Sequence, residues 1–117
     1  MEITSEKRSD GVLLVKLSGR LDIAGAGALD LPFAASLANW SGPVVVDMAG
    51  VGYMASLGVR TLLVNARSLN GRGGRMRLAS PSVEVRAVLD ALALDSILPI
   101  HDNIDDACAA SRTDQTS

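Results

Sequence analysis

The segment Val12-Leu13-Leu14-Val15-Lys16-Leu17 is an almost unbroken apolar run. It is too short for a helix and suits a strand buried on both faces. Residues 2–8 ahead of it are mostly polar and read as an edge strand, with Asp10-Gly11 as the hairpin turn. Behind it, Ser18-Gly19-Arg20-Leu21-Asp22 is a turn-forming cluster, and Asp22 leads into a helix rich in Ala and Leu over about residues 24–39. Pro32 interrupts that pattern. A proline inside a helix removes a donor and clashes with the preceding turn, a cost of about 3 kcal/mol. The reading therefore favours a late or irregular helix start, eased by Gly25 and Gly27.

After the punctuation Ser41-Gly42-Pro43, Val44-Val45-Val46-Asp47-Met48 is the clearest strand and the natural centre of a sheet. Residues 49–55 read as a loop containing Gly50 and Gly52. Helical spacing begins at Ser56, with Leu57, Val59, Leu62, Leu63, Ala66 and Leu69 as its inward stripe, and Asn70-Gly71-Arg72-Gly73-Gly74 ends it. Arg75-Met76-Arg77-Leu78-Ala79 alternates like a strand. Ser80 or Ser82 then caps a helix whose inner stripe is Val83, Ala87, Val88 and Ala91. A short last strand, Leu98-Pro99-Ile100-His101, precedes a helix over about residues 103–111 with Ile104, Ala107 and Cys108 facing inward. The order β-β-α-β-α-β-α-β-α predicts an α/β fold: a mixed, mostly parallel sheet of four to five strands with about four helices. The expected organisation is one domain, 1–112, followed by a frayed polar tail, 113–117.

Composition narrows the chemistry. The chain has 117 residues, 48% of them hydrophobic, enough for one globular core. Its formal net charge is −2, and its cations are scattered apart from the short GRGGRMR stretch, so no basic stripe for nucleic acid is present. One Trp, one Tyr and one Phe leave no stacking platform for bases. A single cysteine, Cys108, permits no internal disulfide and points to a reducing cytoplasm. The polar N-terminus has no apolar signal core, and no apolar run approaches the roughly 20 residues of a bilayer span, so neither export nor membrane insertion is expected.

Enzyme chemistry finds little support. His101, the one histidine, reads as a solvated turn residue, and Cys108 as a small core residue. Asp102, Asp105 and Asp106 suit a helix start favoured by the dipole, not a metal site, and Arg72, Arg75 and Arg77 read as a solvated strand face. Ligand contacts of α/β sheets gather where strand ends meet helix starts, which singles out Asp22 and the segment ending at Ser56. Ser56 can be an ordinary N-cap there. The same free N–H groups and helix dipole also favour an added phosphate, and Gly58 removes a side chain from the first turn. Position alone leaves both readings open.

Taken together, SGRLD (18–22), VVVDMAGVGYMASLGVRTLL (44–63) and GGRMRLASPSVEVRAVL (73–89) resemble the STAS domain over residues 12–110. That family comprises bacterial anti-sigma factor antagonists and also occurs as the cytoplasmic tail of sulfate transporters. In its antagonists the loop before the second helix typically reads Asp-Ser-Ser/Thr-Gly, and the serine after the Asp is phosphorylated by a partner kinase. The resemblance implies Ser56 as that serine and Gly58 as the glycine. Ala55 stands at the acidic position and Leu57 at the second hydroxyl position, two departures from the family pattern.

Asp22 matches the Asp of the family's Gly-x-Leu-Asp turn beside the phosphorylation site. The implied partner surface comprises Asp22, Ile23, Tyr53, Met54, Ala55, Leu57, Gly58 and Arg60. The implied partners are an anti-sigma factor or serine kinase and a cognate phosphatase, with no direct nucleic-acid contact. The domain itself would be no enzyme and would carry no cofactor, the ATP belonging to the kinase. The alternative within the fold is a non-switching STAS scaffold subunit, for example of a stress-signalling complex or a lipid-transport ATPase.

Overall fold

Gly11, at φ +86°, closes the first turn, where the Arg8 N–H donates to the Val12 carbonyl at 2.8 Å and Asp10 Oδ1 accepts from the Val12 N–H. That turn sets strand β1 (Glu2–Lys7) antiparallel to β2 (Leu13–Leu21). A computed structural model of the protein describes residues 1–116, and the element order is the predicted one. Helix α1 (Ile23–Leu37), strand β3 (Pro43–Met54), helix α2 (Ser56–Gly71), strand β4 (Arg75–Ala79), helix α3 (Val83–Ala91), strand β5 (Ile100–His101) and helix α4 (Ile104–Thr116) follow. The sheet order is β1-β2-β3-β4-β5, and every pairing after the first is parallel. Among the described residues no helix is long and apolar enough to cross a membrane. Ser117, the end of the expected polar tail, lies outside the described residues.

Strands β2 and β3 run longer than the pattern predicts. The cluster at residues 18–21 and the segment at 49–54 are not turn and loop but paired strand, from Ser18↔Gly50 to Leu21↔Met54. Register shifts at Lys16/Ser18 and Gly19/Arg20 absorb the residues that looked like turn formers. Gly50 allows the approach, since a Cβ there would lie 2.8 Å from the Leu17 carbonyl oxygen.

Helix α1 also corrects the expectation of a late start. It begins at Ile23, capped by Asp22, and runs through Pro32. Pro32 lies on the exposed side of the helix together with Ala28, so water can reach the Ala28 carbonyl that lacks its usual donor.

The larger core lies on the face covered by α1, α2 and α3. Leu29, Phe33 and Leu37 meet Leu62, Leu69, Val85 and Leu89 over Val15, Leu17, Val44 and Val46. In α3 the inner residues are Val85 and Leu89, with Val88 partly packed; Val83 is 83% exposed, and Ala87 and Ala91 are exposed. The bulkier phase of that short helix wins burial because it removes more apolar area from water. On the opposite face, α4 sets Ala107 and Cys108 against Val12, Leu14, Val45 and Ala79, with Ile104 partly packed. Helix α4 extends beyond Ser111, whose buried hydroxyl donates to the Ala107 carbonyl at 2.8 Å.

Two cations and the histidine also differ from expectation. Arg77 is buried, because β4 is flanked by β3 and β5 and both its faces are covered. Its Nη1 lies 3.0 Å from His101 Nε2, and His101 is a half-buried member of β5. Arg72 donates to the Leu37 carbonyl at 2.8 Å and the Trp40 carbonyl at 3.1 Å, tying the end of α2 to the end of α1. Arg75 is exposed, as expected of it. Strand β5 is only Ile100–His101, because Pro99 has no N–H to offer the ladder.

Candidate functional site

Leu21 and Met54 are level in the parallel pairing, and the Ala55 N–H donates to the Leu21 carbonyl at 2.9 Å. The chain therefore leaves β2 and β3 side by side, and Asp22 and Ser56 flank one hydrogen bond at the starts of α1 and α2. The two helices also bond to one another. Thr61 Oγ1 of α2 donates to Asp30 Oδ1 of α1 at 2.7 Å.

Asp22 is an N-cap. Its Oδ1 accepts from the Gly25 N–H at 2.8 Å, and Oδ2 lies 3.7 Å from Arg20 Nε. The Arg20 guanidinium stands over the Tyr53 ring at 4.5 Å, so Arg20 joins the two strand ends. Gly25 is required at this start, because a Cβ would overlap the Arg20 carbonyl oxygen.

Ser56 does not cap its helix. The cap position is Ala55, extended at φ −98° and ψ 171°, whose carbonyl accepts from the Gly58 and Val59 N–H groups. Ala55 has no side-chain acceptor for the first-turn donors. Ser56 is the first helical residue, exposed, and among the described residues its hydroxyl makes no hydrogen bond.

Around it Ile23 is 74% exposed, Tyr53 42% and Leu57 40%, with Arg60 exposed one turn further along α2. Leu57 thus departs from the inward stripe expected of it. Met54 and Gly58 belong to the same segment but are buried, so they hold its shape and do not form its outer surface. Ala55 is half-buried.

Pattern reading missed the groove between α1 and α2. It has a volume of about 560 Å³ and is bounded by Ile23, Leu57 and Val64, with Asp30, Arg60 and Thr61 as its polar residues. A signal for it exists in the sequence: Leu57 and Val64 are one heptad apart, out of phase with the buried Leu62 and Leu69.

The model of the STAS domain family matches residues 5–107. The chain belongs to the STAS domain family. Its β-β-α-β-α-β-α-β-α order and five-stranded mixed sheet are those of the fold expected from the resemblance. BtrV of Bordetella bronchiseptica, assigned as an anti-sigma factor antagonist, is 31% identical over 113 residues, 97% of this chain and 97% of its own. The crystal structure of an anti-sigma factor antagonist from Mycobacterium paratuberculosis superposes with a TM-score of 0.82 at 28% identity, covering 95% of each chain. SpoIIAA, an anti-sigma factor antagonist, has the same fold in its unphosphorylated form, with a TM-score of 0.77 at 20% identity over 96% of this chain and 97% of that one. These three relatives of the STAS domain are thus named as anti-sigma factor antagonists.

Proposed function

We propose that this STAS domain is an anti-sigma factor antagonist working in the cytoplasm. It binds an anti-sigma factor with serine-kinase activity while Ser56 is unmodified, and it is released once Ser56 is phosphorylated. The observation that carries this reading is the state of the Ser56 hydroxyl, which is exposed, unused as a cap and adjacent to the exposed apolar side chain of Leu57. In the proposed docked state Ile23, Tyr53 and Leu57 make the apolar contact, with Asp22 and Arg60 at its polar edge.

The switch is one of charge. The Ser56 Oγ–P bond forms as the β–γ bond of the kinase's ATP breaks; ADP leaves, and the hydroxyl proton passes to a base on the kinase. The new group carries about −1.5 to −2 charge. It stands beside the Asp22 carboxylate, while the nearby Arg20 is already held by Asp22 and the Tyr53 ring. Burying that charge in a docked interface costs more than the contact returns, so the complex separates. Hydrolysis of the phosphate by a phosphatase restores the docking form.

Incubating the protein with its kinase and ATP tests the reading. Phosphate incorporation is lost in Ser56→Ala while kinase binding is kept, and Ser56→Asp weakens binding about tenfold or more. Equal binding by Ser56→Ala and Ser56→Asp would overturn it. Ala55 and Leu57, which replace the acid and the second hydroxyl of the family pattern, favour a second reading: a non-switching scaffold subunit. That reading expects no phosphate at Ser56 and a partner affinity indifferent to Ser56→Asp.

A further inference from the structure

Helix α2 carries Ser56 at the sheet's strand-exit edge and returns to the opposite edge, where β4 begins beside Pro43 of β3. There a second pocket of about 270 Å³ opens between the last turns of α2, the first residues of β4 and the turn before β5. Its polar side chains are Arg67, Asn70, Arg75 and Ser96, and its apolar ones include Met76 and Ile97. No acidic residue lines it.

Arg67 and Arg75, like Arg60 in the first groove, differ from the arginines that have partners. Arg8 and Arg112 hold Asp10, Arg86 holds Asp90 and Asp102, and Arg72 is committed to two carbonyls. Among the described residues neither Arg67 nor Arg75 makes an ion pair or a side-chain hydrogen bond. Asp95 precedes Ser96 in the chain, is exposed, and pairs with neither.

Capping of α2 does not account for them. The Leu69 carbonyl already accepts from the Arg72 and Gly74 N–H groups at 3.0 Å each, and the Asn70 carbonyl accepts from the Gly73 N–H at 3.1 Å. Two arginines, an asparagine and a serine thus line one concavity that also has apolar residues and no acidic one. Guanidinium matches the geometry of planar or tetrahedral oxyanions through paired N–H donors.

We propose that this pocket binds a small ligand bearing one oxyanion, a carboxylate or a phosphate, on an apolar body that rests against the exposed Ile97. The oxyanion is held by Arg67 and Arg75, with Asn70 and Ser96 completing its hydrogen bonds. The site is separate from the Ser56 surface and does not depend on phosphorylation there.

Titration of the full chain followed by amide NMR tests the assignment, with phenyl phosphate, benzoate, inorganic phosphate and benzyl alcohol as probes. Saturable shifts at residues 67, 70, 76, 96 and 97 are expected with phenyl phosphate or benzoate, and the stronger of the two identifies the oxyanion. Inorganic phosphate, lacking the apolar body, binds more weakly. Arg67→Gln and Arg75→Gln each weaken binding about tenfold, the scale of a lost charge-assisted hydrogen bond. Both sites are exposed, so folding is preserved, and Arg67→Lys with Arg75→Lys provides a charge-retaining control of intermediate affinity. Absence of saturable shifts with either organic anion, equal shifts with benzyl alcohol, or undiminished binding in the glutamine variants would overturn the proposal.

Discussion

Gly58 lies so close to Leu21 that a Cβ on it would come within 2.9 Å of the leucine Cβ and 3.2 Å of its carbonyl oxygen. Leu21 is fully buried, so it cannot swing aside. This contact fixes how near the first turn of α2 stands to the end of β2. Gly58→Ala gains helix propensity of up to about 1 kcal/mol. Overpacking costs about 1–3 kcal/mol, and the neighbours here are a Cβ and backbone, so the clash wins. Urea unfolding should show a net loss of about 1 kcal/mol. A variant as stable as the parent would mean that α2 can shift freely at its start.

Ala55 has the extended backbone of an N-cap but no oxygen to offer. Ala55→Ser or Ala55→Asp supplies an acceptor for the first-turn N–H groups and should stabilise the domain by about 0.5–2 kcal/mol, read as a higher unfolding midpoint. An unchanged midpoint would show that these donors are already satisfied by solvent at no cost.

Ile23 is 74% exposed and caps one side of the groove between α1 and α2. Ile23→Ala should leave stability within about 0.5 kcal/mol. If the proposed docking face is correct, the same change weakens partner binding at least about fivefold, as measured by titration calorimetry. Retention of full affinity would move the interface off this groove.

Asp10 ties the first hairpin to α4, accepting from Arg8 and from Arg112, both at 3.3 Å. Its desolvation alone would raise its pKa. The Val12 N–H, the Arg8 hydrogen bond and the charges of Arg8 and Arg112 outweigh that and hold it below its ordinary 3.8. The unfolded chain therefore takes up the proton first, so the carboxylate's stabilisation is complete above about pH 4. It is lost as the pH falls through the lower folded value. Asp10→Asn should cost about 1–2 kcal/mol at pH 7 and flatten the acid limb of the stability curve below pH 4. An acid limb identical to the parent's would remove Asp10 from the account.

Much of the fold was legible because its signals are local. The Val44-Val45-Val46 run, the Asp10-Gly11 turn and the inward Ala107-Cys108 pair each reflect a short-range rule, and each appears where the pattern predicts. The exit segments were misread because Ser18, Gly19 and Gly50 have turn chemistry, yet the neighbouring parallel strand keeps them extended. Nothing local announces that pairing. Arg77 was misread for a similar reason, since its burial depends on β5 and α4 arriving from later in the chain.

At the site the split is equally physical. Asp22 as a cap and Ser56 as the start of a helix follow from residue type and position, which the amino-acid order alone determines. That Ala55 takes the cap, that the Ser56 hydroxyl is left over, and that Met54 and Gly58 turn inward were decided only by tertiary structure. The 2.9 Å hydrogen bond from Ala55 to Leu21 and the close contact of Gly58 with the same leucine set the helix start against a distant strand. Residue preferences act over a few positions; which groups are left facing solvent depends on how remote segments pack.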